Sequence, residues 1–310
     1  MTTTPPARRS PLRRLSDAAA RFVSDPASPR PLAAFRIGIA AVLLAQAAAI
    51  AGSLLDLYGS RGIVQWSVAE RMAPPGVPRL SWLAAALAPL GVTEIGTVRL
   101  AFLLYVGALT GLLVGWRARA SAAVAWATHV MLGASGTAST YGVDQWANIA
   151  LFYCLWAPVG DTWSADRRAG RVSGEPSAAA RLGLRVLQLH LCIAYLASGI
   201  EKASGLQWLD GEAVFRSVMR PDLAKLNLGW LASAPWVAVA ACWATLVVEI
   251  GYAAMVWPRR TRAAWAVATI GLHAGIAVAM GLWSFSAVMI VLTASAWLVP
   301  SEPTKAAEGS

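Results

Sequence analysis

The run IAYLASGIEKASGLQWLDG (193–211) decides how this chain is read. It begins inside an apolar segment of membrane-spanning length and ends in a polar stretch, with Lys202 at the boundary. A bare ammonium is costly in hydrocarbon, so an ionisable residue at such a place is a functional-site hypothesis by default. A desolvated Lys can also give up its proton and act as a base or nucleophile near neutral pH. On a helix, Tyr195, Ser198, Gly199 and Lys202 fall on one face, because residues three, four and seven apart are neighbours there. Glu201 points about 100° away.

The rest of the chain sets that run in a membrane protein. Of 310 residues, 57% are apolar and only 14% charged, against about 25% charged in a soluble domain. The fifteen Trp residues suit aromatic belts at two membrane interfaces. Apolar segments at 32–55, 98–116, 120–139, 144–159, 183–203, 234–257, 262–281 and 283–299 read as spans. The fourth and eighth fall short of the roughly 20 residues that a crossing needs. The expectation is an all-α polytopic helix bundle in a lipid bilayer, with about eight spans (six to eight). Residues 1–31 read as a basic cytoplasmic tail with a short interfacial helix near 11–24. Residues 32–300 read as the transmembrane domain and 301–310 as a disordered tail.

The net charge of +10 would suggest nucleic acid in a soluble protein. Here the basic residues sit in short loops, and no basic aromatic surface remains, so nucleic-acid binding is not expected. With both termini in the cytoplasm, the cytoplasmic pieces hold 17 of the 26 Lys and Arg residues, the positive-inside bias. That reading places the chain in the plasma membrane as a multi-pass protein. Short apolar stretches at 80–90, 211–219 and 223–234 then read as helices on the outer interface, able to roof an outward-facing site. Gly107, Gly111 and Gly115, four apart, read as a close-packing face.

The polar residues sort by depth. Arg36 and Glu249 are both expensive in hydrocarbon unless paired, and are expected to face each other as a structural pair. Cys154, Cys192 and Cys242 lie in apolar segments without C-x-x-C spacing, and His129, His190 and His273 lie in different spans. A metal site is not expected; individually bonded histidines outweigh a dispersed three-histidine site, and His273 stands near mid-span. At the outer end, Asp144 and Asn148 start the fourth span, and Trp208 and Asp210 follow Lys202 at once. Lys202, Glu201 and Tyr195 are the candidate catalytic residues. Asp144, Asn148, Trp208, Asp210 and His273 are candidate binding residues. Spacing by itself leaves two readings of Lys202 open, a base in a small pocket and a side chain that snorkels to the interface.

Six stretches carry a family resemblance: LAAFRIGIAAVLL (32–44), LYGSRGIV (57–64), GVDQWANIALFYCLWAPVGDTWSADRR (142–168), IAYLASGIEKASGLQWLDGEAVF (193–215), VVEIGYAAMVW (247–257) and GLHAGIAVAMGLWSFSAVMI (271–290). Together they resemble the transmembrane domain shared with vitamin K-dependent gamma-glutamyl carboxylases, the HTTM domain. GWRARASA (115–122) and the patterns at 201–214 and 273–290 look nearest to the sporulation-delaying protein B type, which is implicated in maturing a secreted peptide toxin. In the carboxylases a Lys is the weak base that starts oxidation of a reduced quinone, and the match carries that role to Lys202. The resemblance implies a bacterial membrane enzyme that modifies a secreted peptide at the outer face, with a reduced quinone as cofactor. Its alternatives are a non-catalytic maturation, export or immunity factor for a peptide or small partner protein, and a small transporter. The sequence runs only about ten residues past the last span, so the large soluble region of the carboxylases is not expected.

Overall fold

The computed structural model describes residues 11–136, 140–223 and 225–302. Among them the chain is helical throughout, with a single isolated antiparallel bridge between Ala27 and Ser177. The helices are α1 (Pro11–Ser24), α2 (Arg30–Ile50), α3 (Leu54–Tyr58), α4 (Trp66–Met72), α5 (Leu80–Leu87), α6 (Glu94–Val114), α7 (Ala118–Ser135) and α8 (Gly142–Trp156). They continue with α9 (Ala165–Arg168), α10 (Ala178–Ala203), α11 (Leu206–Leu209), α12 (Ala213–Val218), α13 (Pro235–Met255), α14 (Arg259–Met280) and α15 (Trp283–Trp297). The residues at 1–10 and 303–310, including Arg8, Arg9 and Lys305, lie outside the described part.

Among the described residues, five stretches are long and apolar enough to cross a bilayer: α2 continued through α3, α6, α10, α13 and α14. The helices α7, α8 and α15 occupy the other three expected spans. At 15 residues each, α8 and α15 reach about 22 Å, short of the roughly 30 Å hydrocarbon core. Both pack against α2 and against each other inside the bundle.

Local chemistry explains the helix ends. Thr93 Oγ1 accepts from the Gly96 N–H at the start of α6, and Ser177 Oγ accepts from the Ala180 N–H at the start of α10. Each satisfies one donor that a helix N-terminus leaves orphaned. Gly115 ends α6 at φ +70°, the left-handed region in which glycine carries no Cβ penalty. A Cβ there would lie 2.4 Å from Ser164 Cβ and 2.9 Å from Arg36 Nη1. The expected glycine face is therefore three separate features. Gly107 faces open space, Gly111 makes room for Ser121 Oγ, and Gly115 is a cap. In the segment 223–234, expected as a helix on the outer interface, the described residues hold a 3-10 turn at Gly229–Ala232. Asn227 Oδ1 takes the Gly229 N–H, a local side-chain bond that competes with helix.

Tertiary packing makes one bundle. The closest partners are α10 with α13, α14 with α15, and α6 with α7, while α2 lies between α6 and α15. The arginine-rich loops α6–α7, α8–α10 and α13–α14 gather at one end, hereafter the basic end. There α1 docks on α10, with the Arg185 guanidinium 4.1 Å from the Phe22 ring.

Two buried charges organise this end. Arg36 is fully buried and donates to four backbone carbonyls: Leu112 (2.5 Å), Leu113 (2.6 Å), Val159 (3.0 Å) and Trp163 (2.7 Å). The first two reinforce the end of α6, where the Leu112 carbonyl also takes the Gly115 N–H at 3.1 Å. Asp166 accepts the N–H groups of Arg117 and Ala118 at the start of α7, both at 2.9 Å, and pairs with Arg171 at 2.8 Å. Burial pushes its carboxyl up, but the N–H groups of Ala118 and Arg117 and the Arg171 guanidinium outweigh burial and hold it below the usual carboxylate range. A carboxylate held low contributes stability above its unfolded value, near pH 4, and that contribution is lost as pH falls through the folded value. Asp166→Asn is expected to cost about 2 kcal/mol at neutral pH and to flatten the acid limb of the stability profile. Thermal unfolding in detergent between pH 3 and 7 reads both.

Candidate functional site

At the end opposite the arginines, α10 and α13 run antiparallel and nearly touch. A Cβ built on Gly199 would meet Ile250 Cγ1 at 2.6 Å, the Ile250 backbone N at 3.0 Å and Glu249 Cβ at 3.2 Å. Only a residue without a side chain allows this approach, and the approach puts Lys202 opposite Glu249. Lys202 Nζ donates to both Glu249 carboxylate oxygens, at 2.8 and 3.0 Å, and to Ser198 Oγ at 2.5 Å. The short α11 brings the Trp208 ring to 5.5 Å from the same nitrogen, within cation–π range. Lys202 is 25% exposed and Glu249 9%, so the ammonium turns inward and does not snorkel. The two charges cancel, which reduces the penalty of a lone ion in an apolar surround.

One turn inward, Tyr195 O–H meets His273 Nε2 at 2.8 Å, and the Tyr195 and Tyr252 rings stack at 4.3 Å. Trp297 Nε1 donates to Tyr252 Oη at 2.7 Å, and Phe285 sets its edge against His273. Ser198 and Tyr195 on α10, like Glu249 and Tyr252 on α13, are three residues apart on one face, so the two layers are adjacent turns of the same helix pair. The inner layer holds two buried polar atoms with no hydrogen bond among the described residues, His273 Nδ1 and Thr293 Oγ1, and Ser286 Oγ is a third, two turns from Thr293 along α15. Thr293 lies beside both phenols without reaching bonding geometry. Buried polar atoms are paired in the great majority of cases, so the unpaired atoms of His273 and Thr293 mark where a polar group could be received.

The expected residues divide. Lys202, Tyr195, Trp208 and His273 come together. Glu201 is exposed and turned away from the cluster. Asp210 is exposed too, on the rim of a groove of about 580 Å³ with Glu212, Phe215 and Arg216. Asp144 and Asn148 belong to another cluster. The Asp144 carboxylate accepts the Tyr141 N–H at 2.9 Å and caps α8, and its backbone carbonyl meets His129 Nε2 at 3.1 Å. Asn148 Oδ1 accepts the Trp126 indole N–H at 2.6 Å. Each His has a Tyr from a neighbouring helix: His129 with Tyr105, His190 with Tyr153, and His273 with Tyr195.

The expected Arg36–Glu249 pair does not form. Arg36 is committed to backbone carbonyls at the basic end, and Glu249 to Lys202 at the other. Depth counted along α13 misleads, because Glu249 is the fifteenth residue of that helix yet lies level with the end of α10. Tyr252, Trp297 and Thr293 were not expected in the site. One signal was present: Glu249 and Tyr252 are three apart in VVEIGYAAMVW and share a face.

Gly199→Ala is expected to push α10 from α13 and cost about 1–3 kcal/mol, read as a lower unfolding temperature in detergent. Gly275→Ala on α14, where a Cβ would meet nothing within 4 Å, should leave that temperature unchanged or slightly raised.

Comparison with known proteins agrees with this architecture. A family model for the HTTM domain matches residues 25–297. An uncharacterized protein of Bacillus subtilis (strain 168), YitO, is 26% identical over 194 residues, covering 59% of this chain. The match spans 62% of the length of that relative. No solved structure matches the chain. With nearly the whole helical bundle inside the matched residues, the chain belongs to the HTTM domain family.

Proposed function

We propose that this membrane protein of the vitamin K-dependent carboxylase-like family modifies or matures a secreted peptide at the extracytoplasmic face, with Lys202 as the base. The observation that carries the reading is the inward-facing Lys202–Glu249 pair, adjacent to the Tyr195–His273 layer. A base must first give up its own proton, and Glu249 Oε2 at 2.8 Å is placed to hold it. The freed amine then takes a proton from the substrate, while Ser198 and Trp208 keep Nζ in position. Tyr195 and His273 can orient a polar group one turn deeper, and the unpaired atoms of His273 and Thr293 can receive it. A reduced quinone fits that donor set, and when bound it would supply a phenolic proton to an amine base. The positive-inside bias supports an orientation with the arginine-rich end in the cytoplasm and Lys202 toward the outer side of a plasma membrane. Within the family, GWRARASA (115–122) and the patterns at 201–214 and 273–290 support the sporulation-delaying protein B type.

A second reading, a non-catalytic maturation, export or immunity factor, draws support from the outer groove. Its carboxylates, Phe215 and Arg216 suit an extended peptide. The transport reading loses support, because Arg36 and Glu249 are committed to opposite ends of the bundle.

The test is complementation in the native host with Lys202→Ala and Lys202→Arg at matched membrane levels, reading the masses of secreted peptides. Loss of one defined mass shift in both variants supports the base, and the size of the shift names the reaction. An unchanged profile in both, or activity retained by Lys202→Arg, overturns it in favour of the second reading.

A further inference from the structure

At the basic end, α10, α14 and the segment after α15 surround a cavity of about 510 Å³. Arg181, Arg185, Arg259 and Arg262 line it, and Glu302 is the only carboxylate in its wall among the described residues. Three of these arginines are fixed by carbonyls and aromatic rings and not by acids. Arg181 Nε donates to Asp25 O at 2.7 Å, and Arg262 donates to the carbonyls of Val256 and Trp257 at the end of α13. The Arg185 guanidinium lies between Phe22 and Trp257, at 4.1 and 5.4 Å, and donates to Gln188 Oε1 at 2.8 Å. Gln188 is itself held by the Ala296 carbonyl. Arg181 and Arg262 stand close enough to repel Arg185. Arg259 reaches across the rim to Glu302, and both side chains are largely exposed.

Arginines that only marked the cytoplasmic face would spread into water. Arg181, Arg185 and Arg262 converge instead, held by carbonyls and rings, around a space whose wall has one acid among the described residues. A guanidinium fork matches phosphate oxygens in bidentate fashion. Trp257 and Trp297 beside them suit the headgroup level of a bilayer, and basic pockets between membrane helices take anionic headgroups.

We propose that this cavity is a phosphate-binding site for the headgroup of an anionic phospholipid, with Arg181, Arg185, Arg259 and Arg262 as donors. The cavity shares Trp297 with the Tyr252 layer, but its four arginines take no part in the chemistry proposed at Lys202. The full chain, purified in neutral detergent, would be titrated with short-chain phosphatidylglycerol, short-chain phosphatidylcholine and inorganic phosphate. Unfolding temperature and native mass spectrometry would report binding. Phosphatidylglycerol is expected to bind and phosphatidylcholine not. The double variant Arg181→Gln/Arg259→Gln should weaken binding about 30-fold. If it does not fold, Arg259→Gln alone should weaken binding about fivefold. Glu302→Gln should tighten binding, and Arg216→Gln at the opposite end should not change it. Equal response to inorganic phosphate would keep the site and make the free anion its ligand. Equal binding of the two lipids, or full binding by the arginine variants, would overturn the proposal.

Discussion

Lys202→Arg is expected to leave the protein folded and at wild-type level in the membrane, yet to lower turnover by about 10²–10⁴-fold, the usual worth of a positioned general base. Arginine keeps the positive charge and can still bond to Glu249, so the contact between α10 and α13 survives. It cannot be deprotonated in a protein, so the proton cannot pass to Glu249 and no free amine is formed. Lys202→Met differs, because it leaves Glu249 buried without a partner, at about 3–5 kcal/mol. The two variants therefore separate charge pairing from proton transfer. Glu249→Gln completes the set: it keeps a hydrogen-bond acceptor for Nζ but removes the proton store, and should resemble Lys202→Arg in activity. Wild-type turnover by Lys202→Arg, measured on the peptide product at matched protein level, would reduce the pair to a structural clamp.

Arg36→Met is expected to cost about 4 kcal/mol, at the upper end for single substitutions. Methionine matches the stem in bulk but offers no donor to the carbonyls of Leu112, Leu113, Val159 and Trp163. An unpaired buried acceptor costs about 1–3 kcal/mol, and water reaching the more open of the four recovers part. The loss should appear as a much lower unfolding temperature and depleted membrane protein, with no specific change in the chemistry of any product that is made. Arg36→Lys should fall between, because an ammonium has three donors and no planar fork. An unchanged unfolding temperature in Arg36→Met would mean that other groups close the end of α6.

Much of the fold was legible in the chain because membrane helices are declared by local properties. Hydropathy, capping residues such as Thr93 and Ser177, and arginines in the short loops all act within a few residues of their own position. The face holding Tyr195, Ser198, Gly199 and Lys202 was legible for the same reason, since helical periodicity fixes angles within one helix. The exposed Glu201 follows from that rule as well.

Between helices the sequence had less to offer. In lipid, apolar residues do not distinguish the face that meets a neighbour from the face that meets an acyl chain, and association rests on close packing and a few polar bonds. Asp144 and Asn148 looked like members of the Lys202 site because they share its end of the bundle. Tertiary packing gives them to α7 through His129 and Trp126. Arg36 and Glu249 looked like partners because each needed one. The sequence by itself determined the helices, the basic loops and the faces on which the intramembrane charges lie. Only the tertiary structure decided that Glu249 meets Lys202 and that Arg36 meets carbonyls. The reason is physical: the axial offset between two helices is set where their backbones can come closest, here at Gly199 against Ile250, and no periodicity within one helix encodes that offset.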